Sequence, residues 1–330
     1  MTDTPRVVAT PAGVWSGRDD GPGAEHRRWH HLVSDDDAPG GVALVGFASD
    51  EGVRRNHGRP GAAQGPDALR GALASMAVHP GAPRVVDAGT VVVAGEDLEA
   101  AQDALGEQVG RLLDAHDLVV VLGGGHESAW GSYLGRTAAQ RLRGRRVGVL
   151  NLDAHFDLRR AGRPTSGTPF RQMADADAAA GRPFAYTVLG IAEPSNTEVL
   201  FVDARELGVR WLTDEQCTPR RLAAVLSEVD ALLARVDVVH LSIDLDVLPA
   251  AVAPGVSAPA GLGVPLETVH EVCRHVAASG QLVLVDVVEL LPRLDVDGRT
   301  ARTAARLIDT IVRAAAAAPS TQDLTHQEDS

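Results

Sequence analysis

The sequence predicts an α/β fold, a three-layer α/β/α arrangement with a central parallel sheet, and three observations predict it. Short β-branched runs alternate with helical patterns over most of the 330 residues. The runs are mostly continuously apolar, as in Val147-Gly-Val-Leu150, which requires helices on both faces of the sheet. No internal repeat, heptad run or Pro- or Ser-rich linker separates two domains.

Residues 1–40 mix Pro, Gly, Asp, Arg and His without a period and read as a loosely attached N-terminal extension. A single domain is expected over 41–318, opening on a strand at 42–47 and a helix at 66–78 that begins with Pro. A helix at 96–116 leads to a strand at 118–122, and a helix at 128–142 to a strand at 146–152. The segment between Phe156 and Phe184 lacks periodicity, and a loop of that length is often functional. Beyond it come a strand at 185–191, helices at 195–207 and 218–235, and a strand at 236–245. A helix at 265–278, a strand at 281–288 and a helix at 299–316 complete the domain, the Ala314–Ala318 run being its helical end. Residues 319–330 read as a flexible polar tail.

Composition narrows the chemistry. Acidic residues outnumber basic ones by 44 to 31, a formal charge of -13, which disfavours nucleic acid and anionic membranes as partners. There is no lysine, so Schiff-base, pyridoxal-phosphate and P-loop lysine chemistry are excluded. Two separate cysteines, Cys217 and Cys273, offer neither a disulfide framework nor a thiolate zinc site, and are read as inert side chains in a reducing, cytoplasmic setting. No apolar stretch approaches the roughly 20 residues needed to span a bilayer, and no export signal is evident.

Four segments put acids and imidazoles at the C-terminal ends of predicted strands, where open α/β sheets present their ligands. Gly123-Gly-Gly-His126-Glu127 is a sharp turn presenting His126, though a lone histidine there is commonly structural. In Asp153-Ala-His155-Phe-Asp157 three polar groups recur every second position, on one face if the strand end stays extended. Such a cluster needs a cation or a hydrogen-bond network, the alternative being a capped strand end. Ser242-Ile-Asp244-Leu-Asp246 repeats the spacing and is followed by a turn-rich loop, 253–261, that forms either a site wall or plain surface. Glu289 ends the strand at 281–288. The set His126, Asp153, His155, Asp157, Asp244 and Asp246 has a two-metal ligand count, and its oxygen-rich character suits a harder ion such as Mn²⁺ better than Zn²⁺.

These motifs, in this order and spacing, resemble the ureohydrolase family of arginase and agmatinase, as does Gly58-Arg-Pro-Gly-Ala-Ala-Gln-Gly-Pro-Asp-Ala-Leu-Arg70 upstream; the resemblance covers roughly residues 40 to 315. Within it the chain is nearest to the formimidoylglutamase branch. The features are Trp15-Ser-Gly-Arg18, Arg28-Trp-His30, Asp50-Glu-Gly-Val-Arg-Arg-Asn56, the Gly-Gly-Gly-His-Glu turn, Ser166-Gly-Thr-Pro-Phe-Arg171 and Pro194-Ser-Asn-Thr197.

The resemblance implies an arginase-like fold and hydrolysis of N-formimidoyl-L-glutamate to L-glutamate and formamide, in histidine degradation. It implies two Mn²⁺ ions per subunit. His126, Asp153, Asp157 and Asp244 would hold one and Asp153, His155, Asp244 and Asp246 the other, with a hydroxide nucleophile between them. Asp246 is expected to relay the proton and Glu289 to hold the cationic formimidoyl group. Arg159 and Arg171 are candidates for the substrate carboxylates, with Arg54, Arg55 and Asn56 next, although any one of 31 arginines is more often a solvated or paired side chain. The arginase branch has a proton-relaying histidine where this loop has Phe170. His30, His31, His57 and His240 read as structural. The family also implies a homo-oligomer acting on a small molecule. The alternatives are a guanidino hydrolase of the agmatinase or guanidinobutyrase type, releasing urea, and a catalytically silent metal-stabilised binding protein.

Overall fold

The computed structural model describes residues 5–11, 13–34 and 38–318. Its strands are β1 (Arg6–Val8), β2 (Val33–Ser34), β3 (Val42–Ala48), β4 (Val85–Val92), β5 (Leu118–Leu122), β6 (Val147–Leu152), β7 (Ala185–Ile191), β8 (Arg210–Thr213), β9 (Val238–Asp244) and β10 (Leu282–Val288). Its helices are α1 (Glu51–Arg55), α2 (Gly65–Ala74), α3 (Leu98–Ala115), α4 (Ser128–Ala138), α5 (Pro169–Ala179), α6 (Glu198–Glu206), α7 (Leu222–Leu233), α8 (Leu266–Ala278) and α9 (Arg299–Ala316).

The strands form one sheet in the order β1-β4-β3-β5-β10-β9-β6-β7-β8, with β2 beside β4. All pairings are parallel except β1 with β4. Helices α2, α7, α8 and α9 cover one face and α3, α4, α5 and α6 the other, so the central strands are buried on both sides and the three-layer expectation holds. Strands β5, β10, β9 and β6 are adjacent, which gathers their C-terminal ends along one stretch of the sheet.

The N-terminal segment departs from expectation. Its described residues are docked rather than loosely attached: β1 adds an edge strand, and the Trp29 side chain is 1% exposed with its Nε1 donating to Asp309 Oδ1 at 3.0 Å. Trp15 Nε1 and Thr10 Oγ1 donate to Asp87 Oδ2, and the fully buried Arg70 grips the same carboxylate with Nε and Nη2 at 2.9 Å each. A low apolar content did not prevent docking, because a few large polar-tipped side chains supply the contacts. The predicted tail, 319–330, lies outside the described residues.

Strand β4 is missing from the sequence-based expectation because Asp87-Ala88-Gly89 interrupts its apolar run. Its register against β3 slips there, with Leu44 opposite Asp87 and Gly46 opposite Thr90, a bulge that turns Asp87 towards Arg70. Helix α5 lies inside the segment expected to be a loop. It buries Phe170, Met173, Ala174 and Asp177, a stripe at i, i+3, i+4 and i+7 disguised by its fourth member, which accepts from Tyr133 Oη at 2.8 Å.

Candidate metal centre

Strand β5 ends at Leu122 and the chain turns through Gly123, Gly124 and Gly125 to deliver His126. A Cβ on Gly124 would lie 1.9 Å from the Ser49 carbonyl oxygen, so only glycine permits this approach of the turn to the end of β3. The Gly124 carbonyl accepts the Glu289 N–H at 2.8 Å, and Glu289 Oε1 accepts the His126 N–H at 2.8 Å, so the ends of β5 and β10 fix each other. Glu289 sits at φ 67, a left-handed conformation that costs a residue with a side chain on the order of 1 kcal/mol or more.

Two groups of donor atoms meet at the floor. His126 Nδ1 stands 3.1 Å from an oxygen of each of Asp153, Asp157 and Asp244, with none of the alignments of an ordinary hydrogen bond. His155 Nδ1 lies 3.4 Å from Asp153 Oδ1 and 3.3 Å from Asp246 Oδ2. Asp153 therefore contributes one oxygen to each group, and His126–Asp153–Asp157 and Asp153–His155–Asp246 are both spaced to hold an ion. Asp244 gives Oδ2 to the first group, while its Oδ1 accepts the Asp246 N–H at 2.8 Å and closes the turn that carries Asp246.

The route to this convergence differs from the one expected. Strand β6 stops at Leu152, and Asp157 reaches the floor through a left-handed backbone at φ 49 rather than along an extended face. Asp246 likewise sits in a single 3₁₀ turn after β9.

The electrostatics describe a floor short of positive charge. Burial alone would lower the His126 pKa, but three carboxylates around Nδ1 raise it well above its ordinary value. His155 is raised likewise, by Asp246 and Asp153 against its burial. Burial and then Asp246 and Asp153 push Asp244 well up, and burial with Asp153 raises Asp157. Burial would raise Asp153 as well, yet the imidazoles on either side hold it down. Protons thus gather where cations would sit; four carboxylates and two imidazoles fit two divalent ions in number and charge. Burial and then Glu127 raise Glu289 to about 8.

Supporting residues lie directly beneath the donors. Ser242 Oγ is 2.9 Å from His126 Nε2, which leaves Nδ1 for the floor. Asn151 Nδ2 donates to Asp153 Oδ2 at 3.0 Å and to Tyr186 Oη at 3.0 Å. Phe170 is wholly buried, edge-on to the His126 ring at 5.2 Å and stacked on Tyr186 at 4.5 Å; it braces the imidazole from behind and does not line the cleft. Asn151 was discoverable: it precedes Asp153 by two, as Ser242 precedes Asp244, on the same strand face. Tyr186 gave no such signal.

Above the floor opens a cleft of about 440 Å³, whose walls include Asn56, His57, Arg59, Arg159, Ser166 and Ser257. Arg159 lies across Gly167, beside Asn56, whose Nδ2 donates to Ser166 Oγ. Among the described residues its guanidinium has no carboxylate or hydrogen-bond partner. The other expected arginines are engaged elsewhere: Arg171 with Asp175 at 2.9 Å, Arg54 with Asp50 and Glu51, and Arg55 with Glu51 and Glu99. Arg171 borders a neighbouring depression instead of the cleft. His57, read as structural, stands on the cleft wall at φ 61, whereas His240 is a buried imidazole bonded to Asp286 at 2.7 Å, as expected of a core histidine.

The chain is similar to known proteins over most of its length. The sequence model of the Arginase family matches residues 40–313. The chain is 58% identical over 306 residues to formimidoylglutamase from Nocardia farcinica, covering 92% of this chain and 96% of that one. It is 57% identical over 306 residues to formimidoylglutamase from Rhodococcus jostii, covering 92% and 95%. Among solved structures, Trypanosoma cruzi formiminoglutamase with Mn²⁺₂ superposes with a TM-score of 0.78 at 27% identity, over 89% of this chain and 99% of that one. With a parallel sheet whose central strands deliver two ion-spaced groups, and a family match over most of its length, the chain belongs to the arginase family.

Proposed function

We propose that the chain is a metal-dependent C–N hydrolase of linear amidines that converts N-formimidoyl-L-glutamate to L-glutamate and formamide in histidine degradation. The observation that carries this reading is the polarity of the cleft, with crowded carboxylates on the floor and the unpaired Arg159 on the wall. A formimidoyl group is cationic and its glutamate moiety carries two carboxylates, so the substrate's charges run opposite to those of the cleft. Agmatine would set an ammonium against Arg159, which disfavours the guanidino alternative. The relatives at 57% and 58% identity bear the name of this activity.

His126, Asp153, Asp157 and Asp244 would hold one Mn²⁺ and Asp153, His155, Asp244 and Asp246 the other. Such a pair supplies a water whose pKa falls from about 16 towards neutrality. Glu289, at the mouth of the floor, accepts a charge-assisted hydrogen bond from the amidine N–H and aims its carbon downward; the substrate's charge favours the ionised carboxylate. Asp246 has a buried Oδ1 without a partner, and serves to take a proton at the floor and pass it to the departing amine. Arg159, with Asn56 beside it, takes a carboxylate of the glutamate moiety. Two buried, unpaired cysteines, Cys217 and Cys273, their thiols pushed up to about 12 by burial, suit a cytoplasmic enzyme.

The test is direct. Mn²⁺-loaded protein is incubated with N-formimidoyl-L-glutamate and assayed for formamide and glutamate, with agmatine, arginine and 4-guanidinobutyrate followed in parallel for urea. Formamide from the first substrate alone is expected; urea from a guanidino compound without formamide would overturn the reading.

A further inference from the structure

Arg59 shares the cleft wall with Arg159 but is held in a different way. Its backbone N–H donates to Ser257 Oγ at 2.8 Å, its Nε to the Ser257 carbonyl at 2.8 Å and its Nη2 to the Val256 carbonyl at 2.8 Å. No carboxylate among the described residues pairs with it. A guanidinium has five N–H donors, and this one uses two of them on carbonyls along a single edge, leaving three for a ligand. Backbone carbonyls fix its position without neutralising its charge, and anchoring costs a ligand less ordering entropy than recruiting a free arginine. The chain reaches this point through the left-handed His57, so the placement is strained as well as anchored.

A cleft with two unneutralised guanidinium groups matches a dicarboxylate better than a monocarboxylate. Building on the formimidoylglutamate reading, we infer that Arg59 is a specificity-determining residue that binds one of the substrate's two carboxylates while Arg159 binds the other. Selectivity for a dicarboxylate then arises from two separate arginines, each offering free N–H donors that an uncharged amide satisfies poorly. In the sequence Arg59 stands inside the Gly58–Arg70 motif, where its glycine and proline neighbours direct attention to the turn rather than to its side chain.

The experiment compares Mn²⁺-loaded wild type, Arg59→Gln and Arg159→Gln on three substrates: N-formimidoyl-L-glutamate, its side-chain amide N-formimidoyl-L-glutamine, and its α-amide N-formimidoyl-L-isoglutamine. Wild type is expected to prefer the dicarboxylate over each amide by about 10- to 100-fold in kcat/KM, the effect of one charge-assisted contact. Arg59→Gln should raise KM for the dicarboxylate by a similar factor and abolish the preference over one amide while keeping that over the other. Arg159→Gln should show the complementary pattern. Equal loss on all three substrates, or both preferences retained in Arg59→Gln, would confine Arg59 to anchoring residues 256–257 and overturn the inference alone. Wild type that forms no formamide overturns the substrate reading and this inference together. Should Arg59→Gln not fold, Arg59→Lys, which keeps the charge and loses the fork, is read by the same two ratios, with a partial loss of one expected and no change in either refuting the assignment.

Discussion

Four non-glycine residues among those described have a left-handed backbone, and three of them, His57, Asp157 and Glu289, line one cleft. Such conformations cost on the order of 1–3 kcal/mol each and persist only where surroundings over-determine them. Glu289 is held by its N–H on Gly124 and its carboxylate on the His126 N–H, which shows the kind of support required. Asp153 carries the greatest weight, since each of its oxygens serves a different group. Asp153→Ala should abolish Mn²⁺ occupancy, measured by elemental analysis, and lower turnover by more than about 10³-fold; retained turnover would sink the shared-ligand assignment. Asn151→Ala leaves every donor in place and removes only the amide that aims Asp153. It should weaken Mn²⁺ binding by roughly 10- to 100-fold in a metal titration while the far-ultraviolet spectrum stays unchanged.

At the scale of elements, the site is assembled from the ends of four adjacent strands, and the turns matter as much as the strands. Gly124→Ala would drive a methyl group into the Ser49 carbonyl, backbone against backbone, and should lower stability by about 3 kcal/mol or more, seen as a fall in the thermal midpoint. Helix α1 is tied to α3 by Arg55, which bridges Glu51 at 2.9 Å and Glu99 at 2.9 Å. Burial would raise the Glu99 carboxyl, but Arg55 holds it near 2, below its ordinary 4.5. The stability this pair contributes is complete above pH 4.5 and is lost as pH falls towards 2; solvent screening keeps it below about 1 kcal/mol. Glu99→Gln should therefore destabilise the protein slightly at neutral pH and not at pH 2, as denaturant melts at both values would register.

Much of this scale was legible in the sequence, because β5, β7 and α9 are uninterrupted patterns whose ends are marked by turn residues or caps. The candidate donor groups were legible for the same reason, standing at strand ends in short dense motifs. Strand β4 and helix α5 escaped because a polar residue, Asp87 or Asp177, packs where an apolar one is expected, and β1, β2, α1 and β8 escaped because two to five residues are too few to show a period. Arg159 and Arg171 look alike once 156–184 is read as a loop; in α5 Arg171 meets Asp175 at i+4, a pairing visible only when the helix is recognised, whereas the placement of Arg159 on the cleft wall is set by the fold.

For the molecule as a whole, the N-terminal segment is part of the fold. It extends the sheet by an edge strand, and its Trp29 ring is buried at the layer of α2 and α9. Trp29→Ala should cost about 3–5 kcal/mol in denaturant unfolding and leave the activity of each folded molecule unchanged, since the ring is not part of the cleft wall; a variant as stable as wild type would contradict the packing role. The Trp29 indole and the Asp309 carboxylate are 280 residues apart in the chain. At about 5–20 residues per second, a ribosome works for tens of seconds between making the one and making the other. During that interval the Trp29 indole has no Asp309 to meet, whereas Trp15 and β1 have their partners Asp87 and β4 early, so this one ring, rather than the whole segment, stays open to chaperones until α9 is made.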